Sequence, residues 1–254
     1  MNFTEKEIIS VGQIPNNSVI NADCLSVMKY IDDESIDMIL CDLPYGTTRC
    51  RWDTIIDLDK LWEEYKRIIK PNGAIALFAQ TPFDKVLGLS NIEMLKYEWI
   101  WEKTQATGHL MAKKRPMKAH ENILIFYKKQ CTYNPQKTQG HKRKVSTAHH
   151  KRNTSTGDIY GKSDNFSDYD STERYPRSVL EFASDKQKLN LHSTQKPLAL
   201  CEYFIKTYSN ENDIILDNTA GSGTTGLAAK NLNRNYIMIE KDEEIYEICC
   251  NRVK

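Results

Sequence analysis

Asp42-Leu43-Pro44-Tyr45 closes the apolar run Ile36-Asp37-Met38-Ile39-Leu40-Cys41. That run predicts a buried strand, so the Asp42 carboxylate stands at a strand end. The carboxylate and the neighbouring Leu43 carbonyl can together accept both hydrogens of a flat amino group. An exocyclic amine on adenine or cytosine is a poor nucleophile, because its lone pair is delocalised into the ring. Two fixed acceptors free that lone pair and aim it at an electrophile. Pro44 restricts Leu43 and stiffens the turn. Tyr45 offers a ring face for a base turned out of its stack. Strand, Asp and Pro also make an ordinary turn, so the tetrapeptide decides nothing alone.

A second constellation lies near the other end of the chain. Asp217-Asn218-Thr219-Ala220-Gly221-Ser222-Gly223-Thr224-Thr225-Gly226 follows the apolar run Ile214-Ile215-Leu216 and precedes a helical pattern. Gly221 and Gly223 allow a tight turn and close approach of backbone to a ligand. Glu240 ends the next strand, about 20 residues on, where an acid can hold both hydroxyls of a ribose. The spacing alone suits NAD and S-adenosylmethionine alike, and also a ligand-free turn. Asp217 favours the methyl donor: an acid there repels a pyrophosphate but receives a cationic methionine end.

The elements that must position these groups alternate. Strand signals at 18–21, 36–41, 74–79, 97–101, 123–127, 214–217 and 236–240 are interleaved with helical ones. The helices are expected at 24–31, at 59–70 (ended by Pro71-Asn72-Gly73), from Pro197, after the glycines and at the C-terminus. This alternation predicts an α/β fold with a doubly wound, mainly parallel sheet, whose ligands bind beyond the carboxyl ends of the strands. Three of the four tryptophans, Trp62 among them, read as core residues; Trp52, near Tyr45, is less easily assigned.

The chain has 254 residues and a formal net charge of +1, so overall charge names no partner. Its distribution does. Asn122 to Gly157 contains no Asp or Glu, but holds Lys142, Arg143, Lys144, Lys151 and Arg152, with Lys113-Lys114-Arg115 just upstream. Segregated positive charge is the footprint of a phosphate-backbone binder, though a solvated basic loop looks the same. No run reaches the ~20 apolar residues of a membrane span, and the first residues do not read as a signal peptide. Seven cysteines without a C-x-x-C pair read as reduced thiols of a cytoplasmic protein, not a zinc site; no metal is expected.

Asp42-Leu43-Pro44-Tyr45, His192-Ser193-Thr194-Gln195-Lys196-Pro197 and the Asp217 to Thr225 segment occur in this order. The set resembles the β class of amino DNA methyltransferases, which act on adenine N6 or cytosine N4, and looks like their short phage and prophage forms. The resemblance runs from about Ser18 to the C-terminus. It implies a circularly permuted Rossmann-like S-adenosylmethionine-dependent methyltransferase fold. A mainly parallel seven-stranded sheet would span residues 1–127 and 176–254, with a basic target-recognition insertion at 128–175. By the same resemblance Asp42, Leu43, Pro44 and Tyr45 are catalytic. The cofactor would meet Asp23, Cys24, Thr194, Gln195, Lys196, Asp217, Ala220, Gly221, Ser222, Gly223, Thr224, Glu240 and Lys241, with Thr194 to Lys196 closing over the methionine.

The partner implied is double-stranded DNA, held at phosphates by Lys113, Lys114, Arg115 and the later basic cluster. His109, His120, Tyr133 and Arg143 are candidates to reach bases, while His120-Glu121 reads better as a structural pair at the start of a strand. Most adenine-specific members have proline at position 43; only the backbone carbonyl of Leu43 is required there. Asp rather than Ser at position 42 favours adenine N6 over cytosine N4. A nicotinamide-dependent oxidoreductase built on the glycine segment is the alternative from another class, and it leaves Asp42 to Tyr45 unexplained. A DNA-binding protein without catalysis is a third. A homodimer is left open, and the sequence names neither a recognition site nor a restriction partner.

Overall fold

The computed structural model describes residues 1–47, 53–154, 166–184 and 195–254. They form two compact units, Met1–Asn134 with Ser178–Lys254, and Pro135–Arg177. In chain order the strands are β1 (Asn2–Thr4), β2 (Ser18–Asn21), β3 (Ile36–Asp42), β4 (Ile69–Ala79), β5 (Leu95–Thr107), β6 (Lys118–Phe126), β7 (Lys144–Ser146), β8 (Tyr169–Ser171), β9 (Val179–Phe182), β10 (Ile214–Asp217) and β11 (Asn235–Glu240). The larger unit is built on one sheet in the order β1-β2-β11-β10-β3-β4-β6-β5-β9. Neighbours are parallel except where β6 runs against β4 and β5.

Seven strands were expected and the described residues give nine. The seven central strands are the anticipated ones; β1 and β9 extend the two edges. Asn2 to Thr4 carries no apolar alternation and pairs only through its backbone with Val19 to Asn21. No side-chain pattern announces such a strand. Early β2 lies beside late β11, so the sheet joins the two ends of the chain.

Strand alternation sorts the core into two layers. Ile39 and Cys41 of β3 face a cluster with the helices α1 (Glu5–Val11), α2 (Cys24–Val27), α3 (Leu58–Ile68) and α4 (Phe83–Ser90). Met38 and Leu40 face the other side, toward α6 (Leu198–Tyr208), α7 (Thr224–Asn231) and α8 (Glu243–Val253). Both faces of these strands are buried, which is why their sequences are continuous apolar runs. Trp62, Trp99 and Trp101 are core residues, each under 5% exposed. Trp52 lies outside the described residues.

Helix α3 starts on Asp57, whose side chain accepts from Lys60 N at 3.3 Å. It ends at Ile68, two residues before the expected stop, because Ile69 already pairs with Ile36. The register then jumps: Met38 pairs with Ala74, so Lys70 to Gly73 bulge out around Asp37. Lys70 Nζ bonds Asp37 Oδ1 at 2.6 Å inside this bulge. A Cβ on Gly73 would stand 2.8 Å from the Asp37 carbonyl oxygen and 2.7 Å from Ile69 Cδ1.

β5 and β6 are longer than their apolar centres and form a hairpin whose pairing reaches Thr107 and Lys118. Its turn begins at Gly108 (φ 89°) and carries Lys113, Lys114 and Arg115, all exposed, with Leu110 87% exposed. The segment after β6 stays on the larger unit up to Asn134. Thr132 N donates to Asn72 O, Asn134 N donates to Thr207 O, and Cys131 is buried. Its polar composition hides that anchoring, which is made by backbone groups and by polar side chains such as Asn134, whose Nδ2 donates to Ser209 O at 3.1 Å.

The smaller unit, Pro135–Arg177, pairs β7 with β8 in antiparallel fashion and carries α5 (Ala148–Thr154). Arg143 forks onto Asp170, with Nε to Oδ1 at 2.6 Å. Lys151 Nζ donates to Ser167 O at 2.6 Å. Lys142, Lys144 and Arg152 are exposed. Among the described residues no helix is long and apolar enough to cross a membrane.

The bulge around Asp37 has no room for a methyl group. Gly73→Ala is expected to cost about 1–3 kcal/mol of stability by overpacking, measured as a fall in the urea midpoint with an unchanged slope. An unaltered midpoint would show that the bulge yields.

Candidate active site

The carboxyl ends of β2, β3, β4, β10 and β11 line a cavity of about 900 Å³. Asp42 and Asp217 close adjacent parallel strands there, since Leu216 of β10 pairs with Ile39 of β3. The chain leaves β3 for β4 on one side of this pair and β10 for β11 on the other. The two acids therefore stand at the point where the winding reverses, the place where open α/β sheets bind ligands.

The Asp42 carboxylate is held on both oxygens. Tyr45 OH donates to Oδ1 at 2.6 Å, and Lys196 Nζ donates to Oδ2. Thr219 Oγ1 donates to the Asp42 carbonyl at 3.1 Å, tying the tetrapeptide to the glycine segment. Leu43 is buried, and the half-buried Tyr45 ring stacks on Phe83 with centroids 5.4 Å apart. Burial and the adjacent Asp42 push the Tyr45 phenol far up, so its hydroxyl stays a donor. Beyond the tetrapeptide, Gly46 N and Thr47 N donate to the two Asp53 oxygens at 2.8 and 2.9 Å. Asp53 thus clamps the turn that follows Tyr45.

Asp217 is 4% exposed. Burial raises its carboxyl to about 6, with the Asp42 charge adding to the effect. Thr219 N donates to its Oδ1 at 3.1 Å. Asn218 is the joint beneath: its Oδ1 accepts from Tyr65 OH at 2.6 Å and from the Cys41 thiol at 3.0 Å. Burial pushes both the Tyr65 and Cys41 groups up, which keeps them neutral donors.

Gly223 (φ 80°) precedes α7, and a Cβ there would stand 2.8 Å from Cys249 Sγ. Gly221 N donates to Glu240 Oε2 at 2.8 Å, and Asp242 N to Oε1 at 2.8 Å. Each Glu240 oxygen keeps a second lone pair. Ala220 N bonds Ile239 O. Arg252 Nη1 donates to Ser222 Oγ and Thr224 Oγ1 at 3.0 and 2.9 Å. Across the cavity Asp23 caps α2 through Leu25 N, and Lys241 Nζ reaches Asp23 Oδ2 at 3.1 Å. Burial raises the Cys24 thiol to about 11.

Most of the predicted site residues thus line one cavity: Asp42 to Tyr45, Asp23, Cys24, Gln195, Lys196, Asp217, Ala220 to Ser222, Thr224, Glu240 and Lys241. Thr194, with His192 and Ser193, lies outside the described residues. Gly223 lies behind the loop against Cys249. Lys196 was expected over the cofactor methionine; its ammonium lies on Asp42. Asn218, Tyr65, Asp53, Glu121 and Arg252 were not foreseen. No spacing signals Asn218, Tyr65, Glu121 or Arg252, because each acts through a contact between distant segments; Asp53 acts locally, on the turn six and seven residues before it. His109 and His120 are exposed, on the hairpin turn and on β6, and the Tyr133 ring lies 6.0 Å from that of Tyr208.

The cavity wall holds buried polar atoms without a protein partner: both atoms of the Gln195 amide and Nδ2 of Asn218. Buried amides are seldom left unpaired. These, with a buried acid and an exposed-facing glycine turn, suit a polar ligand with a cationic end, as S-adenosylmethionine is. The volume lies in the range of cofactor sites.

Known proteins agree. The DNA methylase family model (N6_N4_Mtase) matches residues 36–251. The type II methyltransferase M.HpaI of Haemophilus parainfluenzae is 29% identical over 92% of this chain and 73% of its own length. M.HinfI of Haemophilus influenzae is 27% identical over 94% and 68%. The crystal structure of the M1.HpyAVI–SAM complex superposes with a TM-score of 0.63 at 26% identity, covering 92% of this chain and 98% of that one. The PvuII DNA methyltransferase, cytosine-N4-specific, shares the fold at 16% identity, with a TM-score of 0.67 over 95% and 88% of the two chains. Nothing among these relatives supports a nicotinamide-dependent oxidoreductase. The chain belongs to the N6/N4 DNA methylase family, and S-adenosylmethionine is its cofactor.

Proposed function

We propose that this methyltransferase acts on N6 of an adenine turned out of duplex DNA at a specific sequence. The observation that carries the reading is Asp42, a carboxylate rather than a hydroxyl, held at the strand end beside the cofactor loop. The bound cofactor supplies an electrophilic methyl on a sulfonium. Asp217 and the Gln195 amide meet its methionine end, and Glu240 its ribose hydroxyls. Asp23 and Cys24 flank its adenine.

Asp42 and the Leu43 carbonyl accept the two amine hydrogens and turn the nitrogen lone pair out of the ring plane. The amine nitrogen would become cationic on accepting the methyl that the cofactor supplies, and Asp42 would stabilise it. Asp42 then takes the proton that the amine must lose. The Tyr45 ring stacks against the flipped base. Lys113, Lys114 and Arg115 on the hairpin turn contact phosphates, and Lys142, Arg143, Lys144, Lys151 and Arg152 of the smaller unit serve the same partner. The type II names of the relatives support a recognition sequence of restriction–modification kind.

Labelled methyl transfer to duplex DNA, followed by nucleoside analysis, is expected to yield N6-methyladenine. Asp42→Ala should lower the rate by about 100-fold or more. A digest with only N4-methylcytosine would refute the adenine reading, and an undiminished Asp42→Ala rate would refute the mechanism.

Asp217 gives a pH dependence. Its folded value of about 6 lies above the ordinary 3.8, so the ligand-free protein binds the extra proton and its stability falls as pH rises between them. The α-ammonium of the ligand needs the ionised form, so affinity for S-adenosylhomocysteine, which keeps that ammonium, should weaken as pH drops through about 6. In calorimetry Asp217→Asn should lose this affinity while the ligand-free melting temperature holds or rises. Affinity independent of pH between 5 and 8 would remove Asp217 from this role.

Replacing Lys113, Lys114 and Arg115 together by Ala should weaken DNA binding. It should also reduce the slope of log affinity against log salt by about 2–3, at about 0.9 per phosphate contact. Binding of S-adenosylhomocysteine should be untouched. An unchanged slope would place the phosphate contacts elsewhere.

A further inference from the structure

Glu121 on β6 is a buried carboxylate that the proposed chemistry has not used; it is 9% exposed. Its Oε1 accepts from Lys103 Nζ of β5 at 2.5 Å. Its Oε2 makes no directed hydrogen bond but lies 3.3 Å from Lys196 Nζ. Lys196 reaches on to Asp42 Oδ2, and Tyr45 OH holds Oδ1. Lys103, Glu121, Lys196 and Asp42 therefore form a row of alternating charge whose middle two members are buried. It ends on the acid that meets the amine.

The ammonium in the middle of this row is fixed from several sides. It lies 5.0 Å from the Phe78 ring centre and 5.8 Å from that of Tyr45, with a carboxylate at each end. Burial would lower the Lys196 ammonium, yet Asp42 and Glu121 together raise it. Burial would raise Glu121, yet Lys196 and Lys103 hold it well below the usual carboxylate range. Glu121 and Lys196 thus stabilise each other's charged forms in a site where charges are poorly screened.

A lone ammonium on Asp42 would oppose the reaction. Asp42 must face a nitrogen that turns cationic, and a neighbouring cation cancels much of its field. A counter-carboxylate behind Lys196 removes that conflict. We propose that Glu121 is a positioning residue for methyl transfer: it shares the Lys196 ammonium with Asp42 and offsets its charge, so that Asp42 keeps an effective negative charge for the amine. The idea rests on Asp42 being the amine acceptor. A row serving stability alone has no need to end on that residue, and buried ion pairs are weak stabilisers.

The test compares wild type, Glu121→Gln, Lys196→Met and the double variant. Groups facing the Lys196 ammonium are Asp42 and Tyr45 from the end of β3 and Glu121 from β6, with Lys103 of β5 behind Glu121 and Asp217 of β10 in the same cavity. Glu121→Gln is expected to slow single-turnover methyl transfer by about tenfold or more. Affinity for S-adenosylhomocysteine should stay within about twofold, which shows a folded cofactor site. Adding Lys196→Met should recover part of the lost rate, because the uncompensated cation is gone. A Glu121→Gln rate equal to wild type, or a double variant slower than Glu121→Gln, overturns the proposal. NMR of isotope-labelled lysine side chains reads the row without catalysis: the Lys196 ammonium, assigned from Lys196→Met, should titrate lower in Glu121→Gln. Identical titrations overturn the proposal even in a preparation that transfers no methyl. A wild type that transfers none, with the titration difference present, overturns the methyltransferase chemistry instead.

Discussion

Parallel pairing of β3 with β10 brings two carboxylates, Asp42 and Asp217, to neighbouring strand ends. Like charges buried together are costly, and the rise of Asp217 to about 6 reflects burial first and Asp42 second. The surroundings offset this from both sides. Lys196 and Tyr45 donate to Asp42, and backbone and hydroxyl groups serve Asp217. In the proposed reaction the ligands would complete the balance, a cationic methionine end at Asp217 and a nitrogen that becomes cationic at Asp42.

The neutral joint under this pair does a different job. Asn218 links the glycine segment to α3 through Tyr65 and to β3 through Cys41. Both donors are buried and stay protonated, so the joint adds no charge next to two carboxylates. Thr219, one residue on, bonds the backbone of Asp42. The glycine segment and the Asp42 to Tyr45 tetrapeptide therefore share neighbours. Their relative position is set by short hydrogen bonds rather than by loop length, which suits a reaction that depends on in-line geometry.

Much of this was legible in the sequence, and the reason is periodicity. Strands buried on both faces are continuous apolar runs, and those at 36–41, 214–217 and 236–240 mark the strand ends on which Asp42, Asp217 and Glu240 stand. The failures share a cause too. β1 and the Lys70 to Gly73 bulge are defined by backbone pairing, which side-chain patterns do not encode. The polar stretch up to Asn134 anchors through main-chain and polar side-chain bonds and so resembles the insertion that follows.

By itself the sequence determined the family, the order of its motifs, the acids at the strand ends and the basic residues on the hairpin turn. These are local facts, carried by residue type and short spacing. Only the tertiary structure decided what those acids touch. Lys196 follows Gln195 in a motif associated with the cofactor, yet its ammonium lies on Asp42, 154 residues away. Glu121 looks like a structural member of a strand pair, yet stands behind that ammonium. Contacts of this kind arise where parallel strands and their crossovers bring remote segments to one edge of a sheet. No spacing along the chain records that edge.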